Sequence, residues 1–196
     1  GTTAEGEVLT AANTLADEDV MGTITYTWSN GATGSTTTLG QSDVGSALTV
    51  TATYTDGQGS GESVTSAATE GVVVNVNDAP SGSVTISGTA TEDETLTAVT
   101  GTIVDEDGLG SFSYQWNRAG IAISGATSAS YTQTQADVGS VLTVTASYTD
   151  AQSTGESLTS AATSSVANVN DAPSGSVTIS GTATEDETLT AVTGTI

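Results

Sequence analysis

The chemistry available to this sequence rests on carboxylates. The triplets Glu92-Asp93-Glu94 and Asp105-Glu106-Asp107, with Asp78, Asp137, Asp150 and Glu156, place ten acids in residues 78–170 against one base, Arg118. There is no His and no Cys, so neither a thiolate or imidazole metal site nor a Ser-His-Asp triad can be built. Oxygen donors remain. Carboxylates, Asn side chains and backbone carbonyls are what calcium accepts, about 6–8 to an ion. Paired carboxylates also hydrolyse glycosides, but nothing suggests a substrate cleft, and no enzymatic activity is expected. Over the whole chain 23 acids face one base, a formal net charge of −22. Such a polyanion repels nucleic acid and anionic membrane.

The elements that position these acids read as strands. Leu142, Val144, Ala146 and Tyr148 alternate with Thr143, Thr145 and Ser147, the period-2 signature of a strand with one buried face. Leu48, Val50, Ala52 and Tyr54 repeat the pattern. Phe112, Tyr114 and Trp116 form another alternating strand, as do Ile24, Tyr26 and Trp28. No stretch carries a helical apolar stripe, and Gly- or Asp-containing turns break the strands at short intervals. About seven short strands per unit predict a β-sandwich. None of the ten acids falls in an alternating segment, so all are expected in loops or linker.

A repeat sets the organisation. Asn75-Val-Asn-Asp-Ala-Pro80 returns as Asn168-Val-Asn-Asp-Ala-Pro173, 93 residues on, and the identity runs unbroken from Asn75–Ile103 to Asn168–Ile196. A more diverged copy opens the chain: Gly1–Thr10 parallels Gly88–Thr97, Asp17-Glu-Asp19 parallels Asp105-Glu-Asp107, and Tyr26-Thr-Trp28 parallels Tyr114-Gln-Trp116. The fold class expected is all-β, tandem immunoglobulin-like β-sandwich domains arranged end to end. Residues 1–76 form a repeat lacking its first strand, 77–169 a complete repeat, and 170–196 the first strands of a third. Alternatively, 104–196 is the unit, completed by the strands that follow it. The spare strands at one end and the missing strand at the other predict strand exchange between molecules.

Sandwich winding assigns each loop to a pole. The loop holding Glu92 and Glu94 and the one holding Asp137 lie at the C-terminal pole; those holding Asp105, Asp107 and Asp150 lie at the N-terminal pole. The first junction then gathers Glu5, Glu7, Asp43, Asn75, Asn77 and Asp78 with Asp105, Asp107 and Asp150. The second gathers Glu92, Glu94 and Asp137 with Asn168, Asn170 and Asp171. Poles of like charge repel unless cations lie between them, which makes Ca2+ the expected ligand and adjacent repeats the expected partners. Acidic loops also serve solubility alone, and Asp137 also fits a cap on the turn before its strand. Asp105-x-Asp107-Gly108 begins like an EF-hand loop, but its twelfth place is Trp116.

The whole repeat resembles the bacterial Ig-like extender repeats of large repeats-in-toxin (RTX) adhesins. The resemblance rests on Val84-Thr-Ile-Ser-Gly88, Leu96-Thr-Ala98, Asp105-x-Asp-Gly-x-Gly110, Tyr114-x-Trp116, Gln135-Ala-Asp-Val-Gly139, Ala146-x-Tyr-Thr-Asp150 and Asn168-x-Asn-Asp-Ala-Pro173. It implies an extracellular protein on a bacterial cell surface, with calcium at the junctions, that holds a ligand-binding domain away from the cell. The linker is also similar to the Asp-x-Asn-Asp linker of cadherins, with Asn in place of the first Asp. The alternative is a glycan- or protein-binding module. Loop tips of Gly, Ser, Thr and Asp disfavour it. Trp28 and Trp116, alternating with polar neighbours, are expected in the core and not on a sugar-stacking platform.

Overall fold

The computed structural model describes residues 3–194. In chain order the strands are β1 (Val8–Thr10), β2 (Thr25–Trp28), β3 (Thr36–Thr38), β4 (Val50–Thr55), β5 (Gly61–Thr65), β6 (Thr85–Ser87), β7 (Thr95–Val99), β8 (Ser113–Arg118), β9 (Ile121–Ala122), β10 (Ser130–Thr132), β11 (Leu142–Thr149), β12 (Gly155–Thr159), β13 (Val177–Ser180) and β14 (Thr190–Thr193). Two 3-10 turns, Gln41–Asp43 and Gln135–Asp137, stand before β4 and β11. The protein is all-β, and the strand pairs with a described register are antiparallel. Among the described residues no helix is long and apolar enough to cross a membrane.

Two compact units share the chain. One takes Gly1–Val84, Thr100–Tyr114 and Thr145–Thr159; the other takes Thr85–Val99, Gln115–Val144 and Ser160–Ile196. In the first unit β1 pairs β3, with Leu9 opposite Thr37, and a second sheet runs β2-β4-β5. Leu9 from one sheet and Trp28 from the other meet in a buried cluster with Leu39, Leu48 and Val73. This is how a strand with one apolar face is satisfied: two sheets close their inner faces on each other. Trp28 donates its indole N–H to the Gly34 carbonyl at 3.0 Å, so the buried ring leaves no polar atom unpaired.

The complete repeat adds two strands to that plan. One of its sheets runs β10-β7-β6 and the other β12-β11-β8-β9, an immunoglobulin-like arrangement. Within the second unit, Trp116 of β8 stacks on Tyr131 of β10 with ring centroids 5.8 Å apart, which ties the two layers together. The indole N–H of Trp116 reaches the Ser128 carbonyl at 3.0 Å. Leu142, Val144, Ala146 and Tyr148 are buried, as their alternation predicts. The exposed faces carry cross-strand threonine pairs, Thr51 with Thr65 at 2.8 Å and Thr145 with Thr159 at 2.9 Å. One expectation fails: Glu156 lies inside β12, opposite Tyr148, and not in a loop. Strand β12 has one exposed edge face, and a charged side chain there stays in water.

Each repeat ends in the same way. After β5 the chain returns to bridge Val73 to Val44 and Val74 to Ala4; after β12 it bridges Val166 to Val138 and Ala167 to Thr91. Residues 73 and 74 are thus paired by their own repeat. Glycine is required where loop and strand meet most closely. A Cβ on Gly110 would lie 2.0 Å from the Thr149 carbonyl oxygen, and one on Gly22 would lie 2.3 Å from that of Thr55. These contacts set the height at which the acidic loops begin.

Candidate metal centre

The first junction is built from three stretches of the first compact unit. Glu5 follows the bridge that holds Ala4 to Val74, and its Oε2 accepts the Val76 amide at 3.4 Å. That bond draws the linker toward the loop holding Glu5. Asp78, two residues on, donates its backbone amide to Asp107 Oδ2 at 2.8 Å. Glu106 stands beside Asp107. One carboxylate oxygen each from Glu5, Asp78 and Glu106 lie within 4.8 Å of one another. Calcium-oxygen distances of about 2.3–2.6 Å let one ion touch all three.

Three oxygens of the linker and of the loops at Asp107 and Asp150 have no hydrogen-bond partner: Asp107 Oδ1, Asp150 Oδ2 and Asn75 Oδ1. Asp107 is 2% exposed and Asp150 6%. Asp107 and Asp150 belong to adjoining loops, since the Ala151 amide donates to the Asp107 carbonyl at 3.2 Å. An unpaired carboxylate oxygen taken out of water is costly. A hard cation satisfies such oxygens with the same chemistry as the three-acid group, so the donor set fits calcium.

Other expected ligands are committed elsewhere. Asp105 accepts the Asp107 amide at 2.9 Å on Oδ1 and the Tyr148 hydroxyl on Oδ2. Burial and then this bond to Asp105 push the Tyr148 phenol above its usual range. Asp43 is buried and closes its own 3-10 turn, with Oδ2 accepting from Gly40 N at 3.1 Å and Asn30 Nδ2 at 3.2 Å. Asn77 donates to Glu156 Oε1 at 3.0 Å. Glu7 and Glu94 stand in exposed positions outside the three-acid group.

Asp137 is fully buried and fully engaged. Its Oδ2 accepts from Thr134 N at 2.7 Å, Thr134 Oγ1 at 3.0 Å and the Tyr131 hydroxyl at 2.8 Å; its Oδ1 meets Arg118 Nε at 2.6 Å. Burial works to raise its pKa. The Thr134 amide, Arg118 and Tyr131 outweigh that and hold the carboxyl below its usual value. The cap reading of this residue therefore describes its geometry.

At the second junction Glu92 plays the part of Glu5. It is 3% exposed and its Oε2 accepts the Val169 amide at 3.0 Å. Asn168 accepts from Gln135 at 3.3 Å and donates to the Val169 carbonyl at 2.9 Å, and Asn170 donates to the Asp171 carbonyl at 3.3 Å. The position equivalent to Asp105–Asp107 of a third repeat falls outside the 196 residues.

The residue that sequence reasoning overlooked is Glu106. The Asp-x-Asp spacing favours the outer two acids of the triplet, and the middle one completes the group. Tyr148, 43 positions on, occupies Asp105, and no signal in the sequence marks that pairing.

No family model matches this chain, and no curated protein matches it. A solved structure of the fibronectin(III)-like modules of Clostridium thermocellum CbhA aligns with 84% of this chain and 88% of its own, at 17% identity and a TM-score of 0.29.

Proposed function

We propose that this chain is a structural extender segment of a large bacterial surface adhesin of the repeats-in-toxin type, with repeats at 1–76, 77–169 and from 170 onward. Calcium at the repeat junction stiffens the array, which projects a ligand-binding domain away from the cell. The observation that carries this reading is the pair of nearly buried, unpartnered oxygens, Asp107 Oδ1 and Asp150 Oδ2, in the loop that supplies Glu106 and the loop bonded to it, together with the group of Glu5, Asp78 and Glu106. Acids that served only solubility would keep their oxygens in water or in hydrogen bonds.

The residues supply the ligands from three directions: the end of one repeat (Glu5), the linker (Asp78, with Asn75) and the facing loops of the next repeat (Glu106, Asp107, Asp150). Bound calcium supplies positive charge that offsets their repulsion and fixes the linker between them. Extracellular modules hold calcium with Kd of about 10⁻⁴–10⁻³ M, so the joint stiffens only outside the cell. Calorimetric titration of the full chain with calcium should show binding in that range, and Asp107→Asn with Asp150→Asn should weaken it at least tenfold. Small-angle scattering should show a longer, narrower particle with calcium than with EDTA. Absence of binding heat together with an unchanged maximum dimension would overturn the proposal.

A further inference from the structure

The first repeat carries a neutral amide where the second carries a cation. Tyr26-Thr-Trp28-Ser-Asn30 aligns with Tyr114-Gln-Trp116-Asn-Arg118. The last residue of each run reaches the buried aspartate of the 3-10 turn that follows. Arg118 meets Asp137, and Asn30 donates from Nδ2 to Asp43 Oδ2 at 3.2 Å. Asn30 Nδ2 also donates to Thr37 Oγ1 at 3.3 Å, and Asn30 Oδ1 accepts the Ala32 amide at 3.1 Å. Asp43 is 6% exposed, whereas Asn30 and Gly31 stand open to water.

Asn30 is the only asparagine in the chain that is followed by glycine. Residue 31 therefore has no side chain to crowd an attack by its own backbone nitrogen on the asparagine. In that attack a bond forms between Gly31 N and Asn30 Cγ, and the Cγ–Nδ2 bond breaks. The amide proton passes to water, and Nδ2 takes a proton from water and leaves as ammonia. Water then opens the five-membered imide and leaves a carboxylate, as aspartate or as isoaspartate. The fold supplies two of the reaction's needs. The Ala32 N–H stands on Oδ1, where negative charge collects as the nitrogen adds. The Asp43 carboxylate stands beside Nδ2, where positive charge collects as ammonia forms. The third need is withheld. The Gly31 amide donates to the Trp28 carbonyl at 2.9 Å, so its nitrogen is free to attack only when this turn opens.

We propose that Asn30–Gly31 is a self-modification site, gated by the turn between Trp28 and Gly31, and that its product weakens the first repeat. As aspartate, the product sets a second carboxylate against Asp43, at the position that holds a guanidinium in the second repeat. A hydrogen-bond donor is lost and two like charges meet at a nearly buried group. As isoaspartate, it also adds a backbone atom to the turn. The second repeat has Arg118 at this place and does not react there. The change needs no enzyme and cannot reverse, so it marks the age of one repeat.

The full chain held for days at mildly alkaline pH and physiological temperature tests this, with ion exchange to count charge and peptide mass mapping to place it. The folded chain should gain one negative charge at position 30, at least about tenfold more slowly than the chain unfolded in guanidinium. Asn30→Gln, whose longer side chain closes the ring poorly, should keep its charge. Asn30→Asp should lower the thermal midpoint of the repeat that holds it by about 4–8 °C. A folded chain that keeps Asn30 intact throughout overturns the proposal. So does conversion as fast as in guanidinium, or an Asn30→Asp melt that superimposes on that of the unaltered chain.

Discussion

The two repeats share a plan and differ in what surrounds the same acids. At the N-terminal end of the second, Asp107 and Asp150 are buried behind a linker whose Asp78 amide bonds Asp107. Their counterparts in the first, Asp19 and Asp56, keep the same local turns, with Asp17 accepting the Asp19 amide at 2.9 Å and Asp56 accepting the Ser60 amide at 2.8 Å. Yet Asp19 is exposed and Asp56 half-buried. The turn shapes are therefore local properties, and the burial comes from the junction. A second difference lies under the 3-10 turns. Asp137 meets Arg118 and Tyr131, whereas the equivalent Asp43 has Asn30 and Thr37 in those places.

The second difference gives the largest expected effect. Asp137→Ala leaves a cation, a phenol and a backbone amide without their shared acceptor, and should cost about 3–5 kcal/mol. Asp43→Ala removes a carboxylate that meets only neutral donors and should cost about 1.5–3 kcal/mol. Guanidinium unfolding of each variant measures both, and equal losses would erase the distinction. The pH dependence follows from the same contact. The folded pKa of Asp137 is depressed, so its contribution is present above the unfolded value of about 3.9. It is lost as pH falls through the lower folded value. Asp137→Asn should remove that part of the acid limb.

The junction gives a smaller effect whose sign reverses. In EDTA, Asp107→Asn should stabilise the chain by about 1 kcal/mol, because a buried and unpaired charge is removed. In calcium the same change should destabilise it. Asp19→Asn, at the open counterpart, should stay within about 0.5 kcal/mol under both conditions. Thermal melts with and without the ion separate these outcomes. The smallest effect is a titration. Tyr54, whose hydroxyl donates to Asp17 at 2.8 Å, has its pKa pushed up to about 12, first by that bond and then by burial. Asp17→Asn should return the phenol toward about 10 in ultraviolet absorbance.

Much of the sandwich was legible because period-2 alternation has one physical solution. Leu142 to Tyr148 could bury one face only, and the tryptophans had to follow it inward. The pole assignment was legible for Glu5, Asp78, Asp107 and Asp150, since loop order alone sends them to one junction. The partners of individual oxygens were not legible. Nothing local says that Tyr148 takes Asp105 and leaves the site to Glu106. The burial of Asp137 also depends on Arg118, nineteen positions away, whose strand brings it alongside. A composition rich in acids hides which of them are structural.

That same arginine is the only Lys or Arg in the chain, so trypsin has a single bond to cut, after Arg118. Its guanidinium is held on the Asp137 carboxylate at the end of β8. Cleavage there requires the end of β8 to let the guanidinium leave that carboxylate. Digestion rate is thus a built-in reporter of one repeat's local opening, blind to its neighbours and readable on a gel without any label.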